Sequence, residues 1–213
     1  MDEIERRTLT ATDVSSREEG DTLRLEGYAA MFGTWSEDLG GFREMVEPGA
    51  FAQSLAERAD VVALQNHDAN YVLGRTTSGT LSLMEDARGL RASIVLPPTS
   101  YARDLHALVQ RGDVQGMSFG FTVNKGGDQW STEEGQRRRR LRSVRLFDVS
   151  VVANPAYRAT VVAARALEQA REGEEIPGIP AGDGQAADLA AESDQVQVRL
   201  GALKRRLDIA EIE

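Results

Sequence analysis

Hydrophobic and polar residues alternate along several short segments of the chain. A two-residue period is typical of a β-strand with one buried face. It predicts five strands, at residues 22–28, 80–85, 89–96, 116–123 and 141–152. Turn-forming residues separate these segments, which indicates an antiparallel sheet.

The pattern changes to a helical period in two places. Pro48 begins the first predicted helix, and Ser100 can cap the second, which ends at Gly112. Their apolar residues recur at three- or four-residue spacing: Phe51, Leu55 and Ala59 in the first helix, and Leu105, Leu108 and Val109 in the second. Many strands and few helices favour a barrel covered by helices, although this pattern alone leaves a sandwich open.

The aromatic residues divide the chain into a domain and a tail. The two Trp, four Tyr and six Phe all lie at or before Tyr157. A segment without aromatic residues contributes little to a core, so we expect one domain over residues 1–165. Gly, Pro and acidic residues then predict a linker over residues 166–188. Beyond it, apolar residues at three- and four-residue steps predict an amphipathic helix over residues 189–213, which either packs on the domain or binds a partner or another copy.

Composition excludes several classes of function. The net charge of −9 argues against nucleic acid as the main partner. There is no cysteine and there are only two histidines, so no disulfide and no metal site are expected. No apolar run approaches the roughly 18 residues of a membrane span, and the first residues lack the pattern of a signal peptide. We expect a soluble intracellular protein.

A serine lies on the predicted strand over residues 116–123. Alternation puts Met117, Phe119, Phe121 and Val123 on the core face, and Ser118, Gly120 and Thr122 on the opposite face. Ser118 is therefore expected to face outward, with glycine beside it leaving room for a substrate backbone. The alternative is an ordinary small polar residue on a solvated face.

A histidine follows the apolar run over residues 61–64. A serine hydroxyl is a poor nucleophile unless a base removes its proton, and His67 is a candidate for that base. Asp68 is a poor choice to orient the ring, because adjacent residues of an extended chain point apart. The alternative is a loop histidine bonded to a nearby carbonyl. The other histidine, His106, is expected on the surface of the second helix.

Seven short motifs follow one another in order over roughly residues 22–165. They are residues 25–32 (LEGYAAMF), 47–51 (EPGAF), 66–68 (NHD), 73–76 (LGRT), 111–113 (RGD), 117–121 (MSFGF) and 148–157 (DVSVVANPAY). In this series the chain resembles the prohead, or capsid maturation, proteases of tailed bacteriophages and related gene-transfer particles. That family resembles the herpesvirus assemblins in fold. The resemblance implies a mainly β fold with helices (α+β), a closed antiparallel β-barrel surrounded by helices, followed here by the helical tail.

The resemblance also implies a catalytic set. It places the family's nucleophile on Ser118 and its histidine on His67. In the assemblins the third member is a second histidine after the serine, but no histidine follows Ser118 here. Asp148 is the best candidate to replace it, because a charge between apolar neighbours is costly unless it is paired. Its alternative role is a structural salt bridge with Arg142 or Arg145.

We therefore predict a serine endopeptidase that uses His67, Ser118 and Asp148. The resemblance implies that it cleaves the major capsid protein or its scaffold segment, and also itself, inside the procapsid in the cytoplasm of the bacterial host. No nucleic acid, membrane or cofactor is expected. The alternative is a non-catalytic scaffold or assembly factor that retains the barrel. The four arginines at residues 137–140 are expected in a solvated hairpin, or else as a dock for an acidic scaffold segment.

Overall fold

A computed structural model describes residues 4–8, 14–20 and 22–153, which form twelve strands and two helices. The strands are β1 (Glu5–Thr8), β2 (Ser15–Glu19), β3 (Thr22–Met31), β4 (Phe42–Val46), β5 (Val62–Gln65), β6 (Asp68–Arg75), β7 (Leu81–Glu85), β8 (Gly89–Val95), β9 (Gly116–Val123), β10 (Asp128–Glu133), β11 (Gln136–Leu141) and β12 (Val144–Val152). The helices are α1 (Ala52–Ala56) and α2 (Ser100–Arg111). The mainly β, α+β prediction is confirmed.

The strands form three open sheets. Their orders are β1-β9-β12-β5-β6, β10-β11-β4 and β2-β3-β8-β7. Two neighbouring pairs, β12 with β5 and β11 with β4, are parallel. The prediction of a closed antiparallel barrel is therefore wrong for the part of the chain that the structure describes. Alternation locates strands and their buried faces, but it does not say which strands pair or whether the last strand meets the first.

One hydrophobic core joins the five-stranded and four-stranded sheets. Phe119 of β9 packs edge-on against Phe51, with 5.3 Å between ring centroids, and stacks on Phe121 at 5.0 Å. Leu25, Leu90 and Ile94 enter the same core from β3 and β8. Burying side chains of this size contributes about 1.5–3 kcal/mol each, so the core-facing side of β9 is firmly held.

The helices differ from prediction in three details. Helix α1 begins at Ala52, with Phe51 as its N-cap, and not at Pro48. Thr99 rather than Ser100 is the N-cap of α2, and Thr99 makes no side-chain capping bond. Gly112 ends the helix as predicted, in the left-handed conformation with φ 85° that glycine adopts readily. The expectation of a surface position for His106 is wrong, because His106 lies on the buried face of α2.

Several predictions concern residues that the structure does not describe. They are the domain end at residue 165, the linker over residues 166–188 and the helix over residues 189–213. Among the described residues, no helix is long and apolar enough to cross a membrane.

Candidate active site

Two neighbouring strands of the five-stranded sheet bring the predicted serine and aspartate to one face. In the antiparallel pair of β9 and β12, Ser118 lies opposite Ser150 and Gly120 lies opposite Asp148. Side chains of directly opposed residues share a face of the sheet. Ser118, Asp148 and Ser150 therefore project together, away from the Phe119 side of the core.

A bulge in β12 is what puts the aspartate on this face. The register shifts between Leu146, which pairs with Phe121 on the core face, and Asp148, which pairs with Gly120. Without the extra residue, Phe147, strict alternation would keep Asp148 on the opposite face from Gly120. Bulges re-aim side chains in this way, often next to active sites.

The histidine lies in a two-residue turn between β5 and β6. Asn66 and His67 both have positive φ, at 52° and 57°, while Gln65 and Asp68 pair across the hairpin. Positive φ at both positions is typical of a type I′ turn, which usually has glycine second. A histidine there costs roughly 1–2 kcal/mol. The main-chain N–H of Asn66 donates to the Val151 carbonyl at 3.0 Å, which ties the turn to β12.

The imidazole bridges the other two residues. Its Nδ1 lies 2.6 Å from Oδ1 of Asp148, and its Nε2 lies 2.6 Å from Oγ of Ser118. With the carboxylate accepting the Nδ1 hydrogen, the lone pair of Nε2 is directed at the serine hydroxyl. The structure thus brings together all three predicted site residues, in an arrangement that can move a proton from Ser118 to His67.

The alternative contacts expected for Asp148 are not formed. Arg142 donates to Glu47 at 3.1 Å, and Arg145 lies over the ring of Phe147 at 5.4 Å. Asp148 is buried, with a relative exposure of 7%. Its nearest basic partner among the described contacts is the His67 ring, so Asp148 is placed to balance a charge that develops there.

Ser150 is a fourth polar residue of the site, and we did not predict a role for it. Its hydroxyl donates to Oδ1 of Asp148 at 2.9 Å and accepts the main-chain N–H of His67 at 3.2 Å. It is fully buried and sits two residues after Asp148 on the same face. That spacing from the predicted aspartate was the signal in the sequence.

Replacing Ser150 by alanine should slow turnover while leaving substrate binding almost unchanged. A hydrogen bond to a charged group contributes about 1.5–3 kcal/mol, so we expect kcat to fall roughly ten- to a hundredfold with little change in KM. Steady-state kinetics on a purified substrate measures both constants. Ser15→Ala, at an exposed position of β2, is the control. A rise in KM with unchanged kcat would contradict this positioning role.

Gly120 makes room for the aspartate and not, as we expected, for a substrate backbone. A β-carbon at this position would lie 2.1 Å from Oδ2 of Asp148 and 3.0 Å from its carboxyl carbon. Real β-carbons do not approach so closely, so any larger residue at Gly120 must displace the carboxylate. The absence of a side chain here is a requirement of the His67–Asp148 contact.

Gly120→Ala should therefore reduce activity almost as much as loss of the carboxylate itself. We expect a loss of at least about a hundredfold in kcat, since misplaced catalytic groups cost factors of that order. A double-mutant cycle checks the cause. In an Asp148→Ala background, Gly120→Ala should have little further effect on kcat, and an undiminished effect there would show that the carboxylate is not what the methyl group displaces.

Ser118 lies on the face opposite Phe119, as expected, but it is buried there instead of exposed, and strand β1 lies beside it. Ser118 has 0% relative exposure. Its hydroxyl donates a hydrogen bond to the carbonyl oxygen of Arg7, at 2.8 Å. Strand β1 runs antiparallel to β9 at the edge of the sheet, with Thr8 opposite Ser118 and Arg7 opposite Phe119. A short strand of four residues, three of them charged, gave no alternation from which its position could be predicted.

A buried ion network holds β1 in place. Arg7 donates to Glu44 at 2.8 Å and to Glu5 at 2.5 Å, while Arg139 donates to Glu5 at 2.8 Å and to Glu44 at 3.1 Å. Burial by itself lowers the pKa of the Arg7 guanidinium, but attraction to Glu44 and Glu5 outweighs it and raises the pKa above its usual value. Asp128 accepts a further bond from Arg139 at 2.8 Å. All four central side chains thus have opposite charges as neighbours.

The four-arginine run is not the solvated hairpin that we expected. It does form a hairpin, in which β11 pairs with β10, but Arg139 is buried in the ion network. Its neighbours stack on tryptophans, Arg137 on Trp130 at 5.2 Å and Arg138 on Trp35 at 5.0 Å. These contacts occupy the arginines within the domain.

Among the residues that the structure describes, no group of three His, Asp or Glu side chains is arranged to hold a metal ion.

Comparison with known proteins relates this chain to a family. Residues 10–174 match the family model described as Caudovirus prohead serine protease, so the match begins after β1. The chain is 32% identical over 161 residues to the prohead protease of Enterobacteria phage HK97, covering 74% of this chain and 68% of that protein. It also aligns with the structure of the bacteriophage T4 capsid assembly protease, with a TM-score of 0.44 and 10% identity over 70% of this chain and 99% of that one. The family match and the HK97 relative show that the chain belongs to the caudovirus prohead serine protease family.

Proposed function

We propose that the chain is a serine endopeptidase in which Ser118 is the nucleophile, His67 the general base and then acid, and Asp148 the residue that orients His67. The observation that carries this proposal is the position of the imidazole, with one nitrogen 2.6 Å from the serine hydroxyl and the other 2.6 Å from a buried carboxylate. These distances are those at which proton transfer and its electrostatic support operate.

Hydrolysis then proceeds in two halves. Oγ of Ser118 attacks the carbonyl carbon of the scissile peptide while its proton moves to Nε2 of His67. The imidazolium gives that proton to the departing amine, the C–N bond breaks, and an ester to Ser118 remains. Water attacks the ester with His67 again as base, which releases the carboxylate product and restores the hydroxyl. Asp148 balances the imidazolium charge in both halves.

The substrates we propose are segments of the capsid or scaffold protein, and the chain itself. The HK97 relative is named a prohead protease. By analogy, this chain acts inside the procapsid in the host cytoplasm, where substrate segments are concentrated around it. Membership of the family supports this assignment of substrate and place.

A non-catalytic assembly factor explains the site less well. Such a protein would not need His67 in the left-handed backbone conformation. It would also not need the buried Asp148 carboxylate packed directly against Gly120. Both arrangements cost stability, and strain of this kind persists where function requires it. The cost is understandable if proton transfer between Ser118 and His67 is the function.

Coexpression with the major capsid protein of the same source genome tests the proposal. We expect mass spectrometry to find a capsid protein shortened at one site when the wild-type chain is present, and an intact one when His67→Gln replaces it. Ser15→Ala serves as the control that should process normally. Equal processing by wild type and His67→Gln would overturn the assignment, as would the absence of any processing by folded wild-type protein inside assembled shells.

A further inference from the structure

Strand β1 pairs with the free edge of β9, the strand that carries the proposed nucleophile. Strand β12 occupies one side of β9, and β1 occupies the other, edge side. Extended peptides bind sheet proteins by adding a strand to such an edge. Ser118 is fully buried, and its hydroxyl contacts the Arg7 carbonyl of β1, so a substrate strand that adds to this edge of β9 has to replace β1.

The contact between β1 and the nucleophile also opposes its activation. The Ser118 hydroxyl has one hydrogen, but two acceptors compete for it, the Arg7 carbonyl oxygen at 2.8 Å and Nε2 of His67 at 2.6 Å. While the hydrogen is donated to Arg7, it is not available to the neutral imidazole. Strand β1 therefore both contacts Ser118 and competes with its base.

The register of β1 identifies a bond. Because the carbonyl that meets Ser118 belongs to Arg7, the Arg7–Thr8 peptide occupies the position of a scissile bond. The side chains of Arg7 and Glu5 are two residues apart and share the face opposite to Ser118. Both enter the buried ion network there.

The partners of these two side chains belong to other strands. Both carboxylate oxygens of Glu44, on β4, accept hydrogen bonds from Arg7, at 2.8 and 3.2 Å. Arg139 of β11 donates to both oxygens of Glu5, at 2.8 and 3.1 Å. Glu44 and Arg139 are each 4% exposed. A strand that replaced β1 without matching charges would leave these two groups buried with a lost partner, which is strongly unfavourable.

We propose that β1 occupies the place of the substrate strand and that Glu44 and Arg139 determine specificity. They select peptides with a basic residue immediately before the bond to be cut and an acidic residue two positions earlier. This inference rests on the proposed function and names its substrate class. Strand β1 lies outside residues 10–174, which match the family model. This is consistent with a segment of this chain that occupies its own substrate position.

The chemistry at such a peptide follows the same two halves. Ser118 Oγ bonds to the carbonyl carbon of the basic residue, and the Ser118 proton passes through His67 to the amine of the following residue as the C–N bond breaks. Water then hydrolyses the ester, so the products are a peptide ending in the basic residue and a peptide with a new amino terminus.

A peptide series with the wild-type full-length protein tests the specificity. The parent peptide has the sequence of residues 2–12, and we expect mass spectrometry to find cleavage between Arg7 and Thr8. Replacing Arg7 or Glu5 of the peptide by glutamine should lower kcat/KM by about tenfold or more, as expected when a charge-assisted bond is lost. Arg6→Gln is the matched control, because Arg6 is exposed in β1 and carries the same charge. It should change kcat/KM less than about threefold.

Charge reversal in the full-length protein tests the occupation by β1. Arg7→Glu places a negative charge beside Glu44, so β1 should leave β9 and cleavage of capsid protein should become severalfold faster than in wild type, while Tm falls. Arg6→Glu should alter neither. A folded Arg7→Glu protein that cleaves capsid protein more slowly than wild type would contradict the claim that β1 occupies the place of the substrate strand. If that variant does not fold, the peptide series, which needs no change to the protein, decides.

The two proposals fail in different ways. If wild type cleaves capsid protein but treats the Arg7, Glu5 and Arg6 peptides alike, or cuts none of them, the inference on specificity is wrong and the endopeptidase stands. If neither capsid protein nor any peptide is cleaved by wild type, or if Ser118→Ala cleaves them as wild type does, the proposed function fails first.

Discussion

Ser118→Ala should abolish cleavage of the capsid protein and of the chain itself. The variant lacks the oxygen that attacks the carbonyl, and loss of a triad nucleophile costs about a million-fold in kcat. The fold should survive, because the core side of β9 is formed by Phe119 and Phe121 and not by the serine. Processing during coexpression, followed by mass spectrometry, measures the loss, and circular dichroism measures the fold.

The matched control is Ser15→Ala, whose hydroxyl is exposed on β2. This variant also loses a serine hydroxyl, but at a position outside the site, and it should process the capsid protein at the wild-type rate. Cleavage by Ser118→Ala at a rate similar to this control would exclude Ser118 as the nucleophile.

Asp148→Asn should lower kcat by roughly a hundred- to ten-thousandfold. The amide has nearly the shape of the carboxylate, but it can donate to Nδ1 and so favour the tautomer whose Nε2 carries hydrogen. That tautomer cannot accept the Ser118 proton. Single-turnover measurements on the capsid substrate give the rate of the chemical step, with KM expected to change little.

A structural role for Asp148 would give a different result. If Asp148 only stabilised β12, the asparagine variant would melt at a lower temperature and turn over normally below it. Comparing kcat with Tm in the same preparations separates the two roles.

The alternating part of the fold was predictable from sequence. Strands β3, β7, β8, β9 and β12 all fall within or next to segments in which apolar residues recur at every second position, because each has one face in the core. Ser118 could be assigned to the face opposite Phe119 for the same reason. His67 was a candidate base that the resemblance to prohead proteases supported, and Asp148 was identified because a charge between apolar neighbours needs a partner.

The bulge beside Asp148 could have been predicted from the positions of the apolar residues in the sequence. Apolar residues occupy even positions at Val144 and Leu146 and odd positions at Val149 and Val151. That change of parity marks one inserted residue, and the insertion turns Asp148 and Ser150 toward Ser118. Read in this way, the sequence would also have identified Ser150.

Strand β1 could not have been predicted from local pattern. Charged residues are expected at the surface, yet Glu5 and Arg7 are buried because Glu44 and Arg139 neutralise them. Those partners lie 37 and 134 residues away along the chain. Pairing at such separations depends on which strands become neighbours, and this is also why the open, partly parallel sheets were mistaken for a closed barrel.

Covalent labelling of the active serine tests the central claim most directly. After treatment of the wild-type protein with a small fluorophosphonate, peptide mapping by mass spectrometry should find the adduct on Ser118. The adduct should be lost in His67→Gln, because that side chain cannot remove the proton. An adduct on a different serine, in a preparation that cleaves capsid protein while Ser118 remains unmodified, would contradict the assignment.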